Sequence, residues 1–275
     1  MAPHRVRTIL ITGATDGLGR ATARALASQG ATVLVHGRSR ERGEETLAEL
    51  QGTAGGEHAR LYLADLSSLT EVRRLASEVE ADHDRLDVLV NNAGIIAGER
   101  RLSEDGYELT FAVNHLSHFL LTELLLPLLL SSAPARTVNV ASIGQSPIDF
   151  DDVMLERGYS DIRAYGQSKL AQIMFSVELA ERLGREGSEG VTVNAVHPAT
   201  LMETKMVRDH IGRAQSSVAE GVEALTRLAI SDDVEGVTGR FFDGLAESRA
   251  DGQAYDPEAR RRLWKLGEEL TRPGG

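Results

Sequence analysis

The stretch Thr8-Ile9-Leu10-Ile11-Thr12-Gly13-Ala14-Thr15-Asp16-Gly17-Leu18-Gly19-Arg20 decides the fold. Thr8 to Ile11 reads as a buried strand, and the turn after it carries glycines spaced G-x-x-x-G-x-G. Leu18, Ala21, Ala25 and Leu26 then recur at helical spacing until Gly30 stops the helix. A glycine-rich turn from strand to helix lets the backbone approach a pyrophosphate, and the helix N-terminus offers free N–H groups and partial positive charge. The spacing differs from G-x-G-x-x-G, so position carries the reading: the turn follows the first strand and opens a helix. Gly13, Thr15, Asp16, Gly17, Leu18 and Gly19 are its candidate cofactor-binding residues.

The same alternation continues outward. Thr32–Val35 predicts a second strand before a helix near 40–51, and Leu61–Leu63 a third before a helix opening at Ser68, with Glu71 completing a capping box. Further strands are predicted at 86–90, 137–141, 191–196 and within 237–242, with helices near 105–130, 160–184, 216–230 and 257–270. Unbroken apolar strands separated by helices imply a parallel sheet covered on both faces. The expected fold is a single α/β domain over residues 1–275, a doubly wound, mostly parallel, seven-stranded Rossmann sheet. Ligands of such sheets bind outside the carboxyl ends of the strands.

Composition narrows the function. The net charge of −11, from 41 acidic and 30 basic residues, disfavours nucleic acid and anionic membranes as partners. With no cysteine there are no disulfides, thiolate metal sites or cysteine nucleophile, which fits a cytoplasmic location. Met1 to Arg7 contains no apolar segment of signal-peptide type, so neither a signal nor a membrane anchor is expected. The greasiest run, Leu120 to Leu130, is 11 residues long and reads as a buried helix, since a membrane span needs ~20.

Two further features carry chemistry. The second strand ends at His36-Gly37-Arg38, with an arginine where an NAD site usually places a carboxylate. Arg38 therefore predicts a preference for NADP(H), with NAD(H) left open and Arg20 a secondary candidate. Tyr165 and Lys169 stand at i and i+4 on one helical face. A lysine ammonium should lower the tyrosine hydroxyl from its ordinary pKa of about 10, making it a usable acid/base near neutrality.

Together these residues resemble the short-chain dehydrogenase/reductase superfamily over essentially the whole chain. The matching pieces run in family order: Thr12-Gly13 with Gly17-Leu18-Gly19, Asp65-Leu66, Asn91-Asn92-Ala93-Gly94, Asn114, Ser142, Tyr165 to Lys169, and His197-Pro198. Phe111 to Leu116, Ala164 to Ala171 and Val234 to Arg240 look like the retinol dehydrogenase and protochlorophyllide reductase-like branch, which acts on lipophilic carbonyls and alcohols. The resemblance implies that Tyr165 protonates a carbonyl oxygen as hydride arrives and that Ser142 hydrogen-bonds the same oxygen. Lys169 would bind the nicotinamide ribose and tune Tyr165, and Asn114 would anchor a water of a proton relay. Asp65 and Leu66 would meet the adenine edge, Asn91 and Ala93 the adenosine ribose, and the backbone from Pro198 to Leu201 the nicotinamide amide.

Departures from the family pattern are local. Between Ser142 and Tyr165 lie about ten residues more than in compact members, including Asp149, Asp151, Asp152 and Glu156, read as a pocket-shaping loop with no metal. Pro198-Ala199 replaces the family's Pro-Gly, and Met202 to Ser217, with Met206, Val207, Ile211, Lys205, Arg208 and Arg213, reads as a substrate lid. His115 and His118 lack further metal ligands and read as packing residues, and His197 as structural. The helices near 105–130 and 160–184 are dimer faces in the superfamily, so a homo-oligomer stays open. The expected function is NADP(H)-dependent reduction of a small molecule, a bulky, lipophilic ketone or aldehyde. A lyase, epimerase or cyclase using the tyrosine for proton transfer is the alternative, and a cofactor-sensing protein without turnover a third.

Overall fold

The computed structural model describes residues 6–273 except 189, 204–207, 209–211 and 213. Its strands are β1 (Thr8–Ile11), β2 (Thr32–Gly37), β3 (Arg60–Leu63), β4 (Val88–Asn91), β5 (Ala135–Val140), β6 (Val191–His197), β7 (Phe241–Asp243) and β8 (Ala246–Ser248). They form one eight-stranded sheet in the order β3-β2-β1-β4-β5-β6-β7-β8. All neighbours run parallel except the β7–β8 hairpin. The expected seven strands thus become eight: β8 is a short, exposed edge strand with no apolar run to announce it. The order reverses between β1 and β4, which places the crevice for a ligand above the carboxyl ends of those strands.

The helices are α1 (Gly17–Ser28), α2 (Arg40–Leu50), α3 (Leu69–Asp82), α4 (Leu109–Ser131), α5 (Asp161–Arg185), α6 (Val218–Ile230) and α7 (Pro257–Leu270). Strand side chains alternate between two cores. Ile9, Ile11, Val33 and Val35 pack beneath α1 and α6, while Leu10, Leu34 and Leu89 pack beneath α3, α4 and α5. Ile9, Leu10 and Ile11 are fully buried, each contributing about 1.5–3 kcal/mol relative to exposure.

α4 is longer than the apolar run that announced it. By length and composition Leu109–Ser131 could cross a membrane, yet here it packs against α3 and the sheet, with Leu120, Leu121, Leu125 and Leu129 buried. α7 covers part of the surface made by α4 and α5, where Trp264 stacks on Phe175 and meets Phe119 edge-on.

The expected capping box at α3 does not form. Ser68 makes no side-chain cap and Glu71 turns to Arg74; the carboxylate of Asp105 instead accepts the Leu69 amide at 2.9 Å. The reciprocal box sits at α6, between Ser217 and Glu220.

Candidate active site

The turn after β1 has the shape its glycines predict. Gly13 adopts a φ of +65°, and a Cβ on Gly19 would lie 2.2 Å from the Gly13 carbonyl oxygen, so this packing admits no side chain. Thr15 is buried against Gly37, and Leu18 turns into the core below α6. Asp16 accepts the Gly17 amide at 2.8 Å as the α1 cap, with Arg42 3.6 Å away. Beneath the turn, the Thr12 hydroxyl oxygen accepts the amides of Asn92 (2.9 Å) and Ala93 (3.0 Å). The β1 and β4 ends are thereby locked together.

At the end of β2 the Arg38 side chain is 69% exposed and stands 3.5 Å from Asp65 at the end of β3. Burial acts to raise the Asp65 carboxyl, but hydrogen bonds from Ser67 together with Arg38 hold it below its ordinary value. Arg20 points elsewhere, donating to Glu49 at 2.6 Å with Glu45 at 3.7 Å. Leu66 is buried in the core. Asn91 is also spent internally: its fully buried side chain donates to Thr122 and Asn139. Through its Nδ2 the Asn91 side chain acts as a strut between β4, α4 and β5.

Ser142, Tyr165 and Lys169 converge at the ends of β5 and α5. Ser142 follows β5, accepts the Gly144 amide at 3.0 Å and hydrogen-bonds with Tyr165. The Lys169 Nζ lies 5.6 Å from the centre of the Tyr165 ring and donates to the Val140 carbonyl (2.7 Å) and Gln172 Oε1 (2.9 Å). Burial raises the Tyr165 hydroxyl above its ordinary pKa, with the Ser142 bond acting in the opposite sense. Burial also pushes Lys169 down to about 7. The lowering of the tyrosine expected from the lysine is not what the packed site gives: the direction at Tyr165 is upward, and its cause is burial.

Asn114 lies in a π-helical turn of α4, Ala112–Leu116, the kind of helix defect often found at functional sites. Its side chain is fully engaged. Oδ1 accepts the Ile95 amide, and Nδ2 donates to the Ile95 carbonyl and to Ser168, which in turn donates to the Tyr165 carbonyl. Asn114 is therefore a clamp between the β4 loop and α5 whose Oδ1 also borders the floor at Gly94. A Cβ on Gly94 would stand 3.4 Å from both Asn114 Oδ1 and Lys169 Nζ. Its absence leaves the floor of the crevice open beside the amine, so the residues present fit a nicotinamide cofactor.

Leu201 takes a left-handed φ of 47°; the Gln215 amide donates to the Leu201 carbonyl and the Glu203 amide to the Ser216 carbonyl. Half of the expected lid, including Lys205, Met206, Val207, Ile211 and Arg213, lies outside the described residues. The acids before Tyr165 are engaged structurally: Asp149 pairs with Arg163, Asp151 with Arg262 and Glu156 with Arg100, while Asp152 accepts the Glu156 and Arg157 amides.

Several site residues escaped the sequence reading. His36 Nδ1 accepts the Gly13 amide at 3.1 Å while Nε2 faces the Ala64 carbonyl. His118 stands 3.0 Å from the Thr12 hydroxyl and 3.1 Å from the Asn114 carbonyl. His118 Nδ1 faces a carbonyl and so carries the ring proton, which leaves Nε2 to accept from the Thr12 hydroxyl. Helical spacing was the available signal, since His118 follows Asn114 by four residues and Gln172 follows Lys169 by three.

The short chain dehydrogenase family profile matches residues 7–213, and the chain belongs to that family. Within it the relatives are of the retinol dehydrogenase-like branch. Mouse retinol dehydrogenase 14 is 41% identical over 96% of this chain and 86% of its own. Mouse polyprenol dehydrogenase is 37% identical over 100% of this chain and 87% of its own. Among solved structures, an uncharacterised protein from Mycobacterium paratuberculosis superposes with a TM-score of 0.80 at 33% identity, covering 96% of this chain and 93% of that one. A short chain dehydrogenase from Shigella flexneri, solved with NADP, gives 0.71 at 26% identity, covering 87% and 97%.

Proposed function

We propose that this oxidoreductase uses NADP(H) to reduce a lipophilic ketone or aldehyde to the alcohol. The observation that carries the reading is the convergence of Ser142, Tyr165 and Lys169 beside the open floor at Gly94. A nicotinamide cofactor bound there would supply the hydride. Ser142 orients the substrate oxygen by hydrogen bonding, Tyr165 delivers the proton to that oxygen, and Lys169 replenishes the tyrosine.

The cofactor preference rests on Arg38, an exposed cation at the end of β2, while Arg20 is occupied by Glu49. The NADP in the Shigella protein is consistent with it. The substrate class rests on the surface around the catalytic pair. Ile143, next to Ser142, is 48% exposed, and Ile162, one helical turn before Tyr165, is 77% exposed. The names of the retinol and polyprenol dehydrogenases agree with a lipophilic substrate and describe the reverse direction of the same couple. Reduction follows if the cellular NADPH pool is kept reduced, and a cytoplasmic setting fits the absence of cysteine.

A panel of retinal, long-chain isoprenoid aldehydes and hydrophobic ketones, run with NADPH and NADH, tests the reading. Turnover of lipophilic carbonyls with NADPH favoured supports it; equal use of both cofactors, or activity confined to small polar carbonyls, overturns it.

A further inference from the structure

Lys169 is 4% exposed, and both of its hydrogen-bond acceptors are neutral: the Val140 carbonyl and Gln172 Oε1. Among the described residues the titratable groups around it are Tyr165 on its own helix, His118 from α4 and His197 at the end of β6, with no carboxylate acting on it. Gln172 is itself 1% exposed, and its amide nitrogen abuts the His118 ring at 3.4 Å. Since an ammonium can only donate, the amide oxygen must face Lys169 and the nitrogen must face away.

We propose that Gln172 is a positioning residue for the catalytic apparatus, a fixed neutral acceptor that aims the Lys169 amine and sets how readily it holds its proton. The inference rests on reading Tyr165 and Lys169 as the acid/base pair. An apolar side chain in place of Gln172 would withdraw a hydrogen bond from the charged amine and favour its neutral form. A carboxylate there would place an anion at hydrogen-bond distance in a dry site and hold the proton. The amide is intermediate, so Lys169 can lose and regain its proton during turnover.

The chain has three lysines, Lys169, Lys205 and Lys265, which makes a direct test practical. The full-length protein is labelled with ε-13C lysine, Lys205→Arg and Lys265→Arg assign their own signals, and Lys169 is titrated by NMR in wild type, Gln172→Met and Gln172→Glu. Methionine keeps the shape of glutamine without its acceptor, and glutamate is nearly isosteric, so folding is preserved in at least one arm. The expected result is a titration about half a unit lower in Gln172→Met and about one unit or more higher in Gln172→Glu. A Lys169 titration that stays put in the variants, or moves the same way in both, overturns the proposal. The readout needs no substrate: failure of the carbonyl panel would sink the proposed reaction and leave this result standing.

Discussion

The Gly13 amide donates to Nδ1 of His36 at 3.1 Å, and the opposite ring nitrogen, carrying the proton, reaches the Ala64 carbonyl. The first glycine of the cofactor turn is thus held from below by a neutral imidazole that also braces the loop leading to Asp65. Burial pushes His36 down to about 4, and His115 and His118 to about 3, from an ordinary 6.5.

Stability should therefore fall in mild acid. Between about pH 6.5 and 4 the unfolded chain protonates these imidazoles and the folded chain does not, so the unfolded state binds more protons and gains. Glu123 works against this, because burial raises it to about 7 and it takes up its proton earlier in the folded chain. Three histidines against one carboxyl leave a loss on the order of 3 kcal/mol per pH unit near pH 5. Urea unfolding from neutral to mildly acidic pH measures it, and a flat profile would refute the neutral histidines.

Gly19→Ala should cripple the turn. Its methyl group would meet the Gly13 carbonyl oxygen at 2.2 Å, a backbone atom that can move only by opening the turn. NADPH affinity, read by fluorescence titration, should drop by about tenfold or more.

Arg38→Ala should weaken NADPH binding by about tenfold while changing NADH by less than about twofold, since only NADPH carries a 2′-phosphate for the guanidinium to meet and the lost pair with Asp65 is exposed. Arg20→Gln is the control. With its guanidinium already on Glu49, it should alter the ratio of the two affinities little.

Tyr165→Phe should lower kcat by about a hundredfold or more with NADPH affinity nearly intact, as loss of a general acid requires. Ser142→Ala should show a similar pattern, because it removes the donor aimed at the same oxygen. Steady-state kinetics beside cofactor titration separates the two parameters.

The parallel sheet and its crevice were legible because β1 to β6 are rich in apolar residues and alternate with helical patterns, and because Gly13 and Gly19 of the first turn sit where close packing leaves little room for a Cβ. Tyr165, Lys169 and Ser142 were legible by spacing and family resemblance. What stayed hidden depends on contacts between distant segments. His36 and Thr12 meet partners in the turns that follow other strands, and Asp105 displaces Ser68 as the cap of α3 from 36 residues downstream of Leu69. Nor could helical spacing tell that burial would raise the Tyr165 hydroxyl, since desolvation belongs to the packed site.

The central claim is direct hydride transfer with Tyr165 as proton donor. NADPH carrying deuterium at the transferable position of its nicotinamide ring, incubated with a lipophilic aldehyde and this protein, tests it by mass spectrometry of the alcohol. The account predicts deuterium on the carbinol carbon, one product per NADPH consumed, and near loss of product in Tyr165→Phe. Unlabelled product, or product formed without consumption of NADPH, would contradict it.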